Sequence, residues 1–126
     1  MRREISSVNA IVVGQRGALR DGLIALLYTM PEIGVVSATE QYSSALELVK
    51  GHTSFFALLQ IDSPGQACDE WINTIKERAP NTRILALVSD ASLMSECLSA
   101  GVDAVLIQGV GTAKLREAVE VLVASP

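Results

Sequence analysis

The sequence has few of the residues that stabilise small extracellular or metal-binding proteins. Its 126 residues include two cysteines, one histidine and 4% aromatic residues. Cys68 and Cys97 have neither metal-ligand spacing nor the number needed for a disulfide framework. We therefore expect reduced thiols, as in a cytoplasmic protein. Because 49% of the residues are hydrophobic, a single domain of this length can bury a core of Leu, Val, Ile and Ala.

Long apolar runs and clusters of positive charge are also absent. No run approaches the roughly 18–20 apolar residues of a membrane span. Polar residues between Glu4 and Asn9 argue against a signal peptide after Met1. The net charge is −4, and the ten basic residues are scattered from Arg2 to Arg116. We therefore expect neither a membrane partner nor direct binding of nucleic acid by this domain.

What the sequence does contain is a regular alternation of two kinds of segment. Short runs rich in Leu and β-branched residues predict strands at 8–13, 35–39, 55–60, 84–88 and 104–107. Apolar residues at helical spacing follow each run, on faces that begin at Leu19, Tyr42, Cys68, Leu93 and Leu115. Strands that do not alternate polar and apolar residues indicate a sheet covered on both faces, and therefore parallel. The prediction is an α/β fold, a (βα)5 doubly wound five-stranded parallel sheet.

Uncharged residues occupy the carboxyl ends of these strands, where such a sheet usually has its site. Gly14 and Gln15 follow the first strand, and Gln60 is the last residue of the third. Ser89 follows the fourth strand and Gln108 follows the fifth.

In order and spacing, five segments resemble one known family. They are IVVGQRGALRDGLIALL, MPEIGVVSATEQYSSALELV, LLQIDSPG, RILALVSD and SAGVDAVLIQ. Together they resemble the receiver domain of two-component response regulators, most closely those that precede LuxR-type helix-turn-helix effectors. The resemblance covers nearly the whole chain, 1–126, and implies the flavodoxin-like strand order 2-1-3-4-5.

The resemblance also implies a chemistry that these residues do not support. In such receivers, two acids after the first strand and an acceptor Asp on the third hold Mg²⁺. The Asp accepts a phosphoryl group, which a Lys after the fifth strand and a Ser or Thr after the fourth then contact. Here Gly14 and Gln15 replace the acids, Gln60 replaces the acceptor and Gln108 replaces the Lys, whereas Ser89 is kept. The aromatic residue three before that Lys is Val105.

We therefore expect a pseudo-receiver that is not an enzyme, needs no Mg²⁺ and acts independently of phosphorylation. Its neutral amides and Ser89 can hydrogen-bond to one another, and Gly14 is expected to relax the loop. Two alternatives stay open. The remodelled pocket could sense a neutral or weakly anionic small molecule, or a displaced acid, Asp62 or Asp90, could serve as phosphoacceptor or metal ligand. The competing interpretation of these two acids is that they cap turns.

The last predicted helix suggests how such a domain would act. Leu115, Val119 and Leu122 would anchor it to the sheet. Its outward residues would be Lys114, Arg116, Glu117 and Glu120. Charges of both signs suit a two-fold interface, so we expect a homodimer through this face or another protein partner. Whether an effector domain follows Pro126 is left open.

Overall fold

A computed structural model describes residues 8–50, 55–65 and 69–124. The strands are β1 (Val8–Val13), β2 (Ile33–Thr39), β3 (Phe56–Ile61), β4 (Arg83–Val88) and β5 (Ala104–Ile107). The helices are α1 (Ala18–Tyr28), α2 (Tyr42–Leu48), α3 (Asp69–Arg78), α4 (Met94–Ala100) and α5 (Thr112–Ala124). A 3₁₀ turn, Ala91–Leu93, precedes α4.

The strands form one parallel sheet in the order β2-β1-β3-β4-β5, which confirms the predicted fold. Two boundaries differ in a way that matters. β2 begins two residues earlier than predicted, at Ile33, because Ile33 pairs with Val8. β3 runs to Ile61, which pairs with Val88, so Gln60 is the penultimate strand residue and not the last.

Both faces of the sheet are covered, as the lack of alternation predicts. Ala10 and Val12 of β1 pack with α1 and α5, whereas Ile11 and Val13 pack with α2, α3 and α4. Successive side chains of a strand point to opposite faces, so each central strand contributes to two cores. This double burial explains why the strands are nearly continuous apolar runs.

The helical faces are mostly those expected. Leu115, Val119 and Leu122 are buried, whereas Leu19 at the start of α1 is 38% exposed. Helix α4 ends at Gly101, whose φ of 108° is left-handed, a conformation that favours glycine. Cys97 is buried and forms no disulfide with another described residue, and Cys68 lies outside the described residues.

No helix within the described ranges is long and apolar enough to cross a bilayer. The loops after β1, β3, β4 and β5 meet at the carboxyl edge of the sheet.

Candidate functional site

Asp62, just after β3, is the residue on which the predicted site residues converge. Gln108 donates its Nε2 hydrogen to Asp62 Oδ1 at 2.8 Å. Gln60 donates from Nε2 to Asp62 Oδ2 at 3.4 Å. Ser89 donates from Oγ to the backbone oxygen of Asp62 at 3.3 Å. The structure thus joins three predicted residues through an acid that the sequence placed only among the alternatives.

The sheet itself positions these side chains. Ser89 N donates to Ile61 O at 2.9 Å, and Gln108 N donates to Val88 O at 2.7 Å. The parallel hydrogen-bond ladder therefore continues one residue past each strand. Because the backbone is fixed there, Ser89 and Gln108 project beside the loop that carries Asp62.

Gly14 has a different role from the loop relaxation expected from sequence. A Cβ atom at this position would lie 2.4 Å from Gln60 Oε1 and 2.8 Å from Gln60 Cβ. Gly14 is not among the described glycines with positive φ. Its lack of a side chain provides space for Gln60, so these two departures from the receiver pattern depend on each other.

Gln15 and Asp90 lie apart from the Asp62 network. Gln15 is exposed, and no hydrogen bond among the described residues joins it to Asp62. Asp90 Oδ1 accepts from Ser92 N at 2.8 Å and caps the 3₁₀ turn. This backbone hydrogen bond lowers the pKa of the Asp90 carboxyl. The geometry of Asp90 is that of the turn-capping alternative.

A small cavity of about 160 Å³ opens beside Gln60, at the carboxyl ends of β1 and β3. Its lining residues are Val13, Gly14, Gln15, Glu40, Tyr42, Gln60 and Asp62. Gln60 Oε1 and the Tyr42 hydroxyl are buried and have no hydrogen-bond partner. Such atoms are unusual, because buried polar groups are nearly always paired.

Tyr42 and Glu40 are site residues that sequence reasoning missed. Tyr42 was assigned to the core face of α2, and its ring does pack edge-to-face on Trp71, with ring centroids 4.9 Å apart. Burial, with smaller contributions from Cys97 and Asp62, raises the pKa of Tyr42 to about 12. The phenol is therefore neutral at physiological pH. The sequence feature that could have identified the two residues is a tyrosine close to a glutamate, just after the end of a predicted strand.

The residues at this edge do not fit Mg²⁺, the ion that the fold implies. The described part of the chain has no group of three or more His, Cys, Asp or Glu residues that could hold a metal. Gly14 supplies no carboxylate, and both oxygens of Asp62 accept hydrogen bonds from amides. Mg²⁺ requires a near-octahedral shell of hard oxygens, usually anchored by carboxylates.

Solved structures with the same architecture include receiver domains and response regulators. A LuxR-family DNA-binding response regulator from Staphylococcus aureus has a TM-score of 0.74 at 16% identity, covering 92% of this chain and 98% of that chain. A response regulator from Thermotoga maritima has a TM-score of 0.75 at 18% identity, covering 94% and 99%. This chain has the receiver fold.

A third receiver has a site with different chemistry. The receiver domain of a sensor histidine kinase from Pseudomonas aeruginosa has a TM-score of 0.76 at 17% identity, covering 95% of this chain and 100% of that chain. In that structure a magnesium ion is coordinated in the active-site cleft. No family model matches this chain, and no curated protein matches it.

Proposed function

We propose that this chain is a receiver-like domain of a signalling or transcriptional regulator that acts without phosphorylation, by binding a protein partner or a second copy of itself. The observation that carries the proposal is the hydrogen-bonding of Gln60, Ser89 and Gln108 to Asp62. In a phosphorylated receiver, the equivalent side chains would surround the phosphoryl group. Here an internal carboxylate already engages them.

The chemistry of Gln60 supports the same conclusion. A carboxylate nucleophile carries the negative charge and lone pairs that attack phosphorus, whereas a neutral carboxamide oxygen is feeble in that role. Gln108 also has no charge with which to neutralise phosphoryl oxygens. Receiver chemistry at this edge therefore lacks both a nucleophile and a cation, and we propose that Mg²⁺ has no part in the function.

Asp62 is the acid in hydrogen-bond contact with Gln60, and it is therefore the candidate to replace the acceptor. Its two oxygens accept hydrogen bonds from Gln108 at 2.8 Å and Gln60 at 3.4 Å. These bonds orient the carboxylate toward two neutral amides, and neither amide carries the positive charge that would stabilise an incoming phosphoryl group. We therefore propose that Asp62 organises the loop and is not a displaced phosphoacceptor.

Incubation with acetyl phosphate and Mg²⁺, followed by intact-protein mass spectrometry, tests this proposal. We expect no gain of a phosphoryl group under conditions that phosphorylate a receiver with an acceptor Asp. A stable adduct on the wild-type chain would contradict the proposal. If Asp62→Asn abolished that adduct, Asp62 would be the acceptor after all.

The proposed interaction surface includes α5. Lys114, Glu117 and Glu120 are exposed, so this helix presents charges of both signs. Arg116 differs from the sequence expectation, because it is half-buried and lines the groove between α1 and α5. Lys114 lies on the opposite side of the helix, because two residues at 100° each separate it from Arg116 by about 200°.

Exposed apolar side chains also occur on α5, β5 and α4. Val121 of α5 is 61% exposed, Leu98 of α4 is 55% exposed and Ile107 of β5 is 36% exposed. At 100° per residue, Val121 lies on the same side of α5 as Lys114, away from α1. Exposed apolar groups within a charged rim are typical of a protein interface. We propose a homodimer through this α4–β5–α5 face.

Light scattering coupled to size-exclusion chromatography tests the dimer. Val121→Lys should shift the chain to a monomer, because a two-fold axis would bring the new charge close to its own copy. Val35→Lys is the matched control, since Val35 is 60% exposed on β2 at the opposite edge of the sheet. A wild-type chain that is monomeric at about 100 µM, well above the Kd range of stable interfaces, would contradict the proposal.

A second candidate function, small-molecule sensing, is favoured by one observation, the cavity beside Gln60 with its two unpaired polar atoms.

A further inference from the structure

The charged side chains that line the cavity beside Gln60 are acidic, and Arg20 lies just outside it, where its Nη1 donates to Gly14 O at 3.2 Å. Glu40 and Asp62 are its charged lining residues, and neither Lys nor Arg lines it. Arg16 Nε reaches Glu40 Oε2 at 3.2 Å, but the Arg16 side chain is 83% exposed. Exposed ion pairs of this kind contribute little and exchange readily. An incoming cation could therefore replace Arg16 as the partner of Glu40.

Gln60 Oε1 is a hydrogen-bond acceptor without a donor. The orientation of its amide follows from Asp62, because Nε2 must face the carboxylate at 3.4 Å. The opposite orientation would place an amide oxygen against a carboxylate oxygen. Oε1 consequently points toward Gly14, where a Cβ would be 2.4 Å away, and Gly14 also lines the cavity.

Tyr42 supplies a second unpaired oxygen, and its position is fixed. Trp71 Nε1 donates to the Tyr42 backbone oxygen at 2.8 Å, and the two rings pack edge-to-face. A polar group held in place before a ligand arrives loses little freedom on binding. Two unpaired oxygens therefore belong to residues that line the cavity together with Glu40 and Asp62. Both oxygens have almost no exposed surface, so a ligand reaches them through small side-chain movements.

We propose that this cavity binds the primary ammonium group of a small amine. Such a group has one positive charge and three N–H donors, which match Gln60 Oε1, the Tyr42 hydroxyl oxygen and the Glu40 carboxylate. A volume of about 160 Å³ corresponds to roughly five water-sized groups, so the ligand is a short amine. The inference rests on the proposed absence of Mg²⁺ and phosphorylation at this edge.

This ligand class differs from the one that the sequence suggested. A neutral or weakly anionic ligand was expected among the amides and Ser89. Ser89 and Gln108 are not among the lining residues of the cavity, and their side chains already donate to Asp62. An anion placed in the cavity would meet two carboxylates and an amide oxygen, all of which repel it.

Titration of the ¹⁵N-labelled chain with propylammonium chloride, at constant ionic strength and neutral pH, tests the inference. The readouts are the Gln60 side-chain amide and the Gly14 backbone amide in two-dimensional NMR spectra. We expect both signals to shift saturably with propylammonium, and not with propan-1-ol or propionate. The alcohol controls for the alkyl chain, and propionate controls for charge of the opposite sign.

Two matched variants locate the effect. Glu40→Gln keeps the shape of the side chain and removes its charge, and should weaken binding about tenfold, as expected for a lost charged hydrogen bond. Glu47→Gln makes the same change on the exposed face of α2, outside the cavity, and should bind like the wild type.

Four results would overturn the inference. The first three are an absence of saturable shifts, equal shifts with propan-1-ol, and equal weakening by the two variants. Tighter binding of Mg²⁺ than of propylammonium, with shifts of the same two signals, would also overturn it and would identify a metal site. The acetyl phosphate experiment measures a change in protein mass and not an NMR shift. A failure to bind propylammonium would therefore not bear on whether the chain is phosphorylated.

Discussion

The dependence of Gln60 on Gly14 leads to a quantitative prediction about Gly14→Ala. The added Cβ would lie 2.4 Å from Gln60 Oε1 and 2.8 Å from Gln60 Cβ. Oε1 can rotate away, but only by giving up the hydrogen bond from Gln60 to Asp62. Gln60 Cβ is attached to a central strand and cannot move without the backbone. Overpacking of this kind costs about 1–3 kcal/mol.

A smaller effect opposes this cost. Alanine restricts the unfolded chain and stabilises by about 0.4–1 kcal/mol where the native backbone accepts it. The φ of Gly14 is not positive, so this gain applies. We therefore expect Gly14→Ala to lower the free energy of unfolding by about 0.5–2 kcal/mol, which is the overpacking cost less the entropic gain.

Urea denaturation at 25 °C measures this change, with Gly22→Ala as the control. Gly22 lies inside α1, and an added Cβ would meet no atom within 4 Å. The control should gain about 0.8–1.0 kcal/mol from helix propensity. In a double-mutant cycle, the loss of unfolding free energy caused by Gly14→Ala should be at least about 0.5 kcal/mol smaller in a Gln60→Ala background than in the wild type. The reasoning fails if Gly14→Ala is as stable as the wild type while Gly22→Ala behaves as expected.

Three further outcomes follow from the site. Gln108→Ala and Asp62→Ala should show a coupling of about 1 kcal/mol in urea denaturation, because either substitution alone already breaks the 2.8 Å hydrogen bond between the two residues. Additive losses of stability would contradict the role of Asp62 as the organising residue. Tyr42 has a folded pKa of about 12, above its ordinary value of 10.0, so the folded state holds its proton longer and stability should fall as pH rises from 10 to 12. Tyr42→Phe should flatten that decline in a pH series of denaturation curves, and an unchanged slope would contradict the burial argument. The pKa of Asp90 is lowered by its bond from Ser92, so its contribution should be present at neutral pH and lost in acid, and Asp90→Ala should be less sensitive to acid than the wild type.

The positions of the polar residues at the strand ends were predictable to different degrees. Ser89 and Gln108 follow β4 and β5 in the structure as in the sequence prediction, because an apolar run ends where its strand leaves the core. Gln60 was misplaced by one position, since Ile61 continues the strand by pairing with Val88. A cross-strand partner extended β3, and a local apolar pattern does not contain that information.

The hydrogen-bond partners at the site were not predictable in the same way. Asp62 and Gln108 are separated by 46 positions in the chain, and only the order of strands brings their loops together. Asp62 was considered as a substitute acid or a turn cap, and the structure gives it a third role, as the shared acceptor of two amides. Tyr42 and Glu40 were missed because each has an ordinary explanation in its own segment.

The sequence by itself determined the α/β class, the parallel sheet and the uncharged residues Gly14, Gln60, Ser89 and Gln108 at four strand ends, since these follow from periodicity along the chain and from residue type. Only the tertiary structure decided that the neutral groups pair with Asp62, that Gly14 provides space for Gln60, and that a cavity lined by two carboxylates remains at the ends of β1 and β3. The physical reason is the separation along the chain over which each interaction acts. Hydrophobic periodicity acts between neighbours in the chain, whereas hydrogen bonds and excluded volume act between neighbours in space.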